Sequence, residues 1–166
     1  MFESCCTPYD IAHVLKSRYG LPVELDTYPT LVCGARIGAI DIPASLAGAV
    51  LDRVAADQPP TPVIRNPRDT VWTFLVRPIG PITTARQRQL AESGISLRAP
   101  GRRVILPVTD GGFGWRWASE PTPGRLRLPQ RLTILEAIDP VDGADEDRRP
   151  PDRLRLRACG GGTPRR

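Results

Sequence analysis

Histidine, lysine and methionine each occur once in this chain, and aromatic residues make up only 5% of it. With a single histidine, His13, no Ser/His/Asp relay and no histidine-rich metal cage can be read. Long apolar runs are missing too. No stretch approaches the roughly 20 residues a membrane-spanning helix needs, and residues 1–10 lack the basic region and apolar run of a secretory signal. The expectation is a cytoplasmic protein with no membrane partner. Cysteine is sparse, with Cys5, Cys6, Cys33 and Cys159. An adjacent pair with two scattered partners fits no common zinc spacing, and a disulfide framework is not expected without a secretory signal. Four free thiols are the reading.

What the chain does have is arginine, proline and glycine. All of its 23 basic residues except Lys16 are arginine, and the net charge of +5 leans modestly towards anionic partners. Nineteen prolines and 15 glycines in 166 residues describe a loop-rich single domain, long enough to bury a core without staples. The stretch from Pro62 to Pro78, PVIRNPRDTVWTFLVRP, carries the strongest pattern. Val63 and Ile64 open one strand, Asn66-Pro67-Arg68-Asp69 supplies turn residues, and Val71 to Val76 forms a second strand. Alternation places Trp72, Phe74 and Val76 on one face and Val71, Thr73, Leu75 and Arg77 on the other. Both faces are mostly apolar, which predicts a central strand.

Around this hairpin the remaining elements read in order. Thr7-Pro8 caps a helix to Tyr19 that ends at Gly20. Its buried stripe is Ile11, Val14, Leu15 and Tyr19, with His13 on the polar face beside Asp10, Lys16 and Ser17. Short strands are expected at 23–25 and 31–33, then a buried strand at 37–42 running into a helix from Pro43 to about Ala56. A polar helix over 82–93 precedes short strands at 95–97 and 102–107. Asp110-Gly111-Gly112-Phe113-Gly114 reads as a hairpin reversal, with Trp115-Arg116-Trp117 returning from it and Arg116 facing away from the two tryptophans. A last short helix is predicted over 130–138. The fold class is α/β (α+β): one domain over residues 1–138, a mixed sheet flanked by about three helices, and a charged tail over 139–166 predicted to be disordered.

This order of motifs resembles the N-terminal domain of bacterial bifunctional DNA primase/polymerases, the prim-pol branch of the archaeo-eukaryotic primases. Gly20-Leu21-Pro22-Val23 is similar to that family's "GWPV" strand. Ile37 to Asp41, followed by the helix from Pro43, is similar to its apolar strand ending in Asp-x-Asp. Thr61-Pro62-Val63-Ile64-Arg65-Asn66-Pro67 with Trp72-Thr73-Phe74 resembles "TP-V-x-T-P-x-G-G-x-H-x-x-F". Val104-Ile105-Leu106-Pro107, Gly111-Gly112 and Trp115-Arg116-Trp117 resemble the closing strand, glycine turn and "Y-x-W". The resemblance spans about residues 8–138 and implies a primase/polymerase-like fold. It also implies, in members that polymerise, two divalent metals held by the Asp-x-Asp pair for phosphoryl transfer.

The departures bear on activity. The second acidic position is Pro43, which offers no ligand atom. The family histidine, which contacts nucleotide phosphate, is replaced by Trp72 without a preceding glycine pair. Asp41 is therefore the one candidate catalytic carboxylate. Asp69 and Asp110 sit in turns where Asp is expected to serve its own backbone. No metal site and no cofactor are expected, Mg²⁺ or Mn²⁺ entering only if the chain is catalytic. Arg65, Arg68 and Arg116 are the candidate nucleic-acid-binding residues, with Arg125, Arg127, Trp115 and Trp117 as further members of one groove for phosphates and stacked bases.

The first reading is thus a non-catalytic primase/polymerase-like accessory protein, associated with single-stranded nucleic acid or nucleotide. The second is a protein-interaction module with no nucleic-acid role. The third is an active primase/polymerase with rearranged metal ligands, which requires a second carboxylate beside Asp41 in space.

Overall fold

The computed structural model describes residues 7–57, 60–78, 80–108 and 114–146, leaving the side chains of residues 57 and 140–146 undescribed. The first helix, α1 (Pro8–Tyr19), is closed at both ends by sequence-local devices. The Thr7 hydroxyl accepts from the Asp10 N–H at 3.2 Å and the Asp10 carboxylate accepts from the Thr7 N–H at 2.9 Å, satisfying two orphan donors at once. Gly20 ends the helix with φ 67°, a left-handed position that glycine takes at no steric cost. Ile11, Ala12, Leu15 and Tyr19 are buried, and His13 is exposed as its helical position predicts.

Strands β1 (Val23–Leu25) and β2 (Pro29–Val32) form an antiparallel hairpin. Strand β3 (Gly38–Pro43) runs without a loop into α2 (Ala44–Asp57). The central hairpin is β4 (Val63–Arg65) and β5 (Val71–Val76). There follow α3 (Thr84–Glu92), β6 (Ser96–Leu97), β7 (Arg103–Ile105), β8 (Arg116–Ser119) and α4 (Arg131–Glu146). No helix among the described residues is long and apolar enough to cross a membrane.

The α/β class holds; among the described residues there are two sheets in which every pairing is antiparallel, and four helices, where one mixed sheet with about three was expected. The larger sheet has the order β6-β3-β5-β4-β8, so β5 is its middle strand; the smaller has the order β1-β2-β7. One face of the larger sheet (Ile40, Ile42, Val63, Trp72, Phe74, Val76) packs on Leu46, Val50 and Val54 of α2, Leu90 of α3 and Ile134 and Ile138 of α4. The opposite face (Ala39, Ile64, Leu75) packs on α1 and the smaller sheet through Leu15, Leu31 and Val104. Apolar residues on both faces of β5 are thus explained by cover on both sides.

Two expectations are corrected. The strands flanking residues 110–114 are not hairpin partners, because β7 pairs with β2 in one sheet and β8 with β4 in the other. A glycine-rich sequence does not specify which free sheet edge the following strand joins. The final helix, expected to stop at Ile138, continues to Glu146. The tail beyond Glu146, like Asp110, Cys5, Cys6 and Cys159, lies outside the described residues.

Candidate nucleic-acid interface

Cross-strand pairing decides which site residues can meet. Directly opposed residues in adjacent antiparallel strands share a face of the sheet. One such row is Ser96, Asp41, Thr73, Ile64 and Trp117; the next is Ile42, Trp72, Arg65 and Arg116. Adjacent rows point to opposite faces. Asp41 and the Arg65–Arg116 pair are therefore on opposite sides of the larger sheet and do not form one site.

Both carboxylate oxygens of Asp41 are engaged. Thr73 Oγ1 donates to Oδ1 at 2.7 Å and Arg98 Nε donates to Oδ2 at 2.8 Å. Arg98 also donates from Nη1 to the carbonyl of Arg103 at 2.5 Å, so it joins the larger sheet to β7 of the smaller one. With side-chain exposures of 17% for Asp41 and 22% for Arg98, this is a largely buried structural tie. The neighbouring Cys33 thiol is buried; that burial pushes its pKa up, assisted by the Asp41 charge and opposed by Arg98.

A two-metal centre does not fit these residues. The Asp41 neighbours are a guanidinium and a hydroxyl, Pro43 has no donor atom, and no cluster of three His, Cys, Asp or Glu residues exists among the described residues. Asp69, the other described carboxylate considered for such a centre, bonds to the opposite row.

That second row builds a different constellation. Asn66 holds the β4–β5 turn: its Oδ1 accepts from the N–H of Thr70 at 2.8 Å and of Val71 at 3.3 Å. The expectation that Asp69 would serve its own backbone is corrected, since Asn66 takes that role and frees the Asp69 carboxylate for side chains. Asp69 Oδ1 accepts from the Trp72 indole N–H at 2.8 Å, and Oδ2 accepts from Arg116 Nη2 at 3.0 Å and Arg65 Nη1 at 3.4 Å. The Arg65 guanidinium carbon stacks 4.1 Å from the centroid of the Trp72 ring, a cation–π geometry. Desolvation opposes ionisation of Asp69, but the indole hydrogen bond and the two guanidiniums outweigh it and hold its carboxyl below the usual range.

No family model, curated protein or solved structure matches the chain.

The candidate interface therefore rests on its own geometry. Arg65 and Arg116 are brought together by the β4–β8 register, and Arg68 is exposed on the turn that joins β4 to β5. Arg125 and Arg127 lie apart, on a segment held to α1 by the Gly124 N–H, which donates to the Arg18 carbonyl at 2.7 Å. Trp115 and Trp117 pack on the opposite face of the sheet from Arg116. Of the five arginines and two tryptophans expected to share one groove, the register brings together Arg65 and Arg116, with Arg68 exposed on the adjoining turn, and the ring beside them is the buried Trp72. Sequence reading missed Asp69 as the hub; the spacing of Arg65, Asp69 and Trp72 across a hairpin turn was the available signal. Arg98 had no local signal, because its partner lies across the sheet.

Two depressions mark the surface elsewhere. One of about 800 Å³ lies between Lys16, Leu21, Glu24 and Arg36, and one of about 290 Å³ beside Ile82, Gln87 and Arg98. Neither contains Asp41, Arg65, Arg68 or Arg116.

Proposed function

We propose that this chain is a primase/polymerase-type domain without two-metal chemistry, working in the cytoplasm as an accessory protein on single-stranded nucleic acid or nucleotides. The observation that carries this reading is the convergence of Arg65, which stacks on Trp72, and Arg116 at the Asp69 carboxylate. Both guanidiniums reach the Asp69 carboxylate at a surface where about a third of each side chain is exposed. Arginine forks suit phosphate oxygens, and an exposed Arg68 beside them extends the track. Loss of catalysis is supported by Asp41 being tied to Arg98 and Thr73, and by Pro43 in the position of the second acidic ligand.

The test has two arms. Affinity for an unstructured oligonucleotide such as dT12 should fall with salt at a slope near −2, from about 0.7 per phosphate contact and three contacts. Arg116→Ala should lower that slope by about one contact. Sequence preference should be slight, since nothing here is aimed at base edges. In the second arm, primer synthesis and extension with Mg²⁺ or Mn²⁺ should be absent. Incorporation abolished by Asp41→Ala would instead establish a catalytic domain, and no binding at low salt would favour a protein-interaction module.

A further inference from the structure

The one lysine of the chain, Lys16, lines the depression of about 800 Å³, together with Arg36, Glu24, Pro22, Val32 and Cys33. The two cations come from different elements. Lys16 stands in the last turn of α1, where the Gly20 N–H donates to the Lys16 carbonyl at 3.1 Å. Arg36 stands in the loop between β2 and β3, which the Gly34 N–H closes by donating to the Ile37 carbonyl at 2.8 Å. Both backbones are thus held while both side chains are exposed. Among the described residues neither side chain makes an ion pair or a hydrogen bond. Glu24, the one carboxylate in the lining, is met instead by Arg103 at 3.8 Å, from outside the depression. The half-buried Pro22 and Val32 make part of the wall apolar. A volume of this size falls in the range of small-molecule sites, about 300–1,000 Å³.

We propose that this depression binds a phosphorylated small molecule, with Lys16 supplying a point charge and Arg36 a planar fork to its phosphate oxygens. A phosphate monoester carries about −1.5 to −2 at pH 7, which matches two cations where a carboxylate brings a single charge. Pro22 and Val32 then lie against the organic part of the ligand. The site is separate from the strand-binding reading, because Arg65, Arg68 and Arg116 do not line it.

Lys16 is the only ε-amine in the chain, so pyridoxal 5′-phosphate reports on it directly. The aldehyde condenses with an amine, water leaves, and borohydride reduces the imine to a stable secondary amine. Labelled full chain is mapped by peptide mass spectrometry, with the α-amino group as internal reference. The ratio of Lys16 to α-amino labelling should be about tenfold higher with pyridoxal 5′-phosphate than with pyridoxal, the worth of one charge-assisted contact. Arg36→Gln, at an exposed loop position, should lower the ratio for pyridoxal 5′-phosphate about tenfold for the same reason. A ratio equal for the two aldehydes, or unchanged by Arg36→Gln, overturns the proposal. A second measurement needs no variant: ATP should protect Lys16 from labelling, and failure to protect overturns the proposal as well. Equal protection by tripolyphosphate, which lacks the nucleoside, overturns the placement of an organic part on Pro22 and Val32. None of these readouts uses an oligonucleotide, so loss of the strand-binding reading leaves them unaffected.

Discussion

Replacing Arg98 by methionine separates a structural Asp41 from a catalytic one. The substitution keeps an unbranched chain but removes the 2.8 Å bond to Asp41 Oδ2 and the bond to the Arg103 carbonyl. Breaking a fully buried pair by removing one partner costs about 3–5 kcal/mol, and an exposed pair contributes about 0–1 kcal/mol. With exposures of 22% and 17% the pair lies towards the buried limit, which sets the loss at about 2 kcal/mol. The lost tie to β7 adds about 1 kcal/mol. For a domain of this size 1 kcal/mol corresponds to about 2–4 °C in Tm, so Arg98→Met should melt roughly 6–12 °C lower. Urea unfolding followed by tryptophan fluorescence should report the same loss. In the double variant with Asp41→Asn the two losses should fall short of their sum by about 1–2 kcal/mol, because no uncompensated charge remains. A loss below about 1 kcal/mol with strict additivity would refute the tie. So would a rise in Tm on adding 10 mM Mg²⁺ or Mn²⁺ that Asp41→Asn abolishes, since saturation at 100 Kd stabilises by about 2.7 kcal/mol.

Other outcomes follow from the same geometry. Phe74 is fully buried at the middle of the larger sheet, and Phe74→Ala should cost about 3–5 kcal/mol in urea unfolding through the cavity left behind. Asn66→Ala removes the side-chain bonds that hold the β4–β5 turn and should cost about 1–2 kcal/mol by the same assay. Asp69 has its folded-state pKa lowered, so between that value and the unfolded carboxylate value of about 3.9 the unfolded chain binds more protons. Its contribution is complete above about pH 4 and is lost as pH falls through the folded value. Asp69→Asn should therefore flatten the acid limb of a Tm-versus-pH curve below about pH 4 and leave the neutral limb parallel to wild type.

The elements and the core were legible in the residues because their causes are local. Thr7, Pro8 and Gly20 set both ends of α1. Alternation along Val71 to Val76 assigned Trp72 and Phe74 to one packed face, and apolar character on both faces made β5 central before any partner was known. The Asn66–Asp69 segment announced a turn by composition alone. His13 fell on the exposed face of α1 by helical spacing alone.

Pairing over long separations was not written in this local code. A strand displays the same donors and acceptors to any free edge, so the chain between β7 and β8 could read as a hairpin while its two ends joined different sheets. The fate of Asp41 turned on Thr73 and on Arg98, 57 positions away along the chain. The arginines were equally ambiguous: side-chain charge is a property of each residue, but a cluster is a property of register. Only the pairing of Arg65 with Arg116 across β4 and β8 chose two of the candidates, and only the left-handed turn at Asp69 put a carboxylate between them. Composition and periodicity determined which residues would be strand, helix or turn, because those depend on neighbours in sequence; the tertiary structure decided which charges meet, because Coulomb attraction and hydrogen bonding act over a few ångströms of space whatever the separation along the chain.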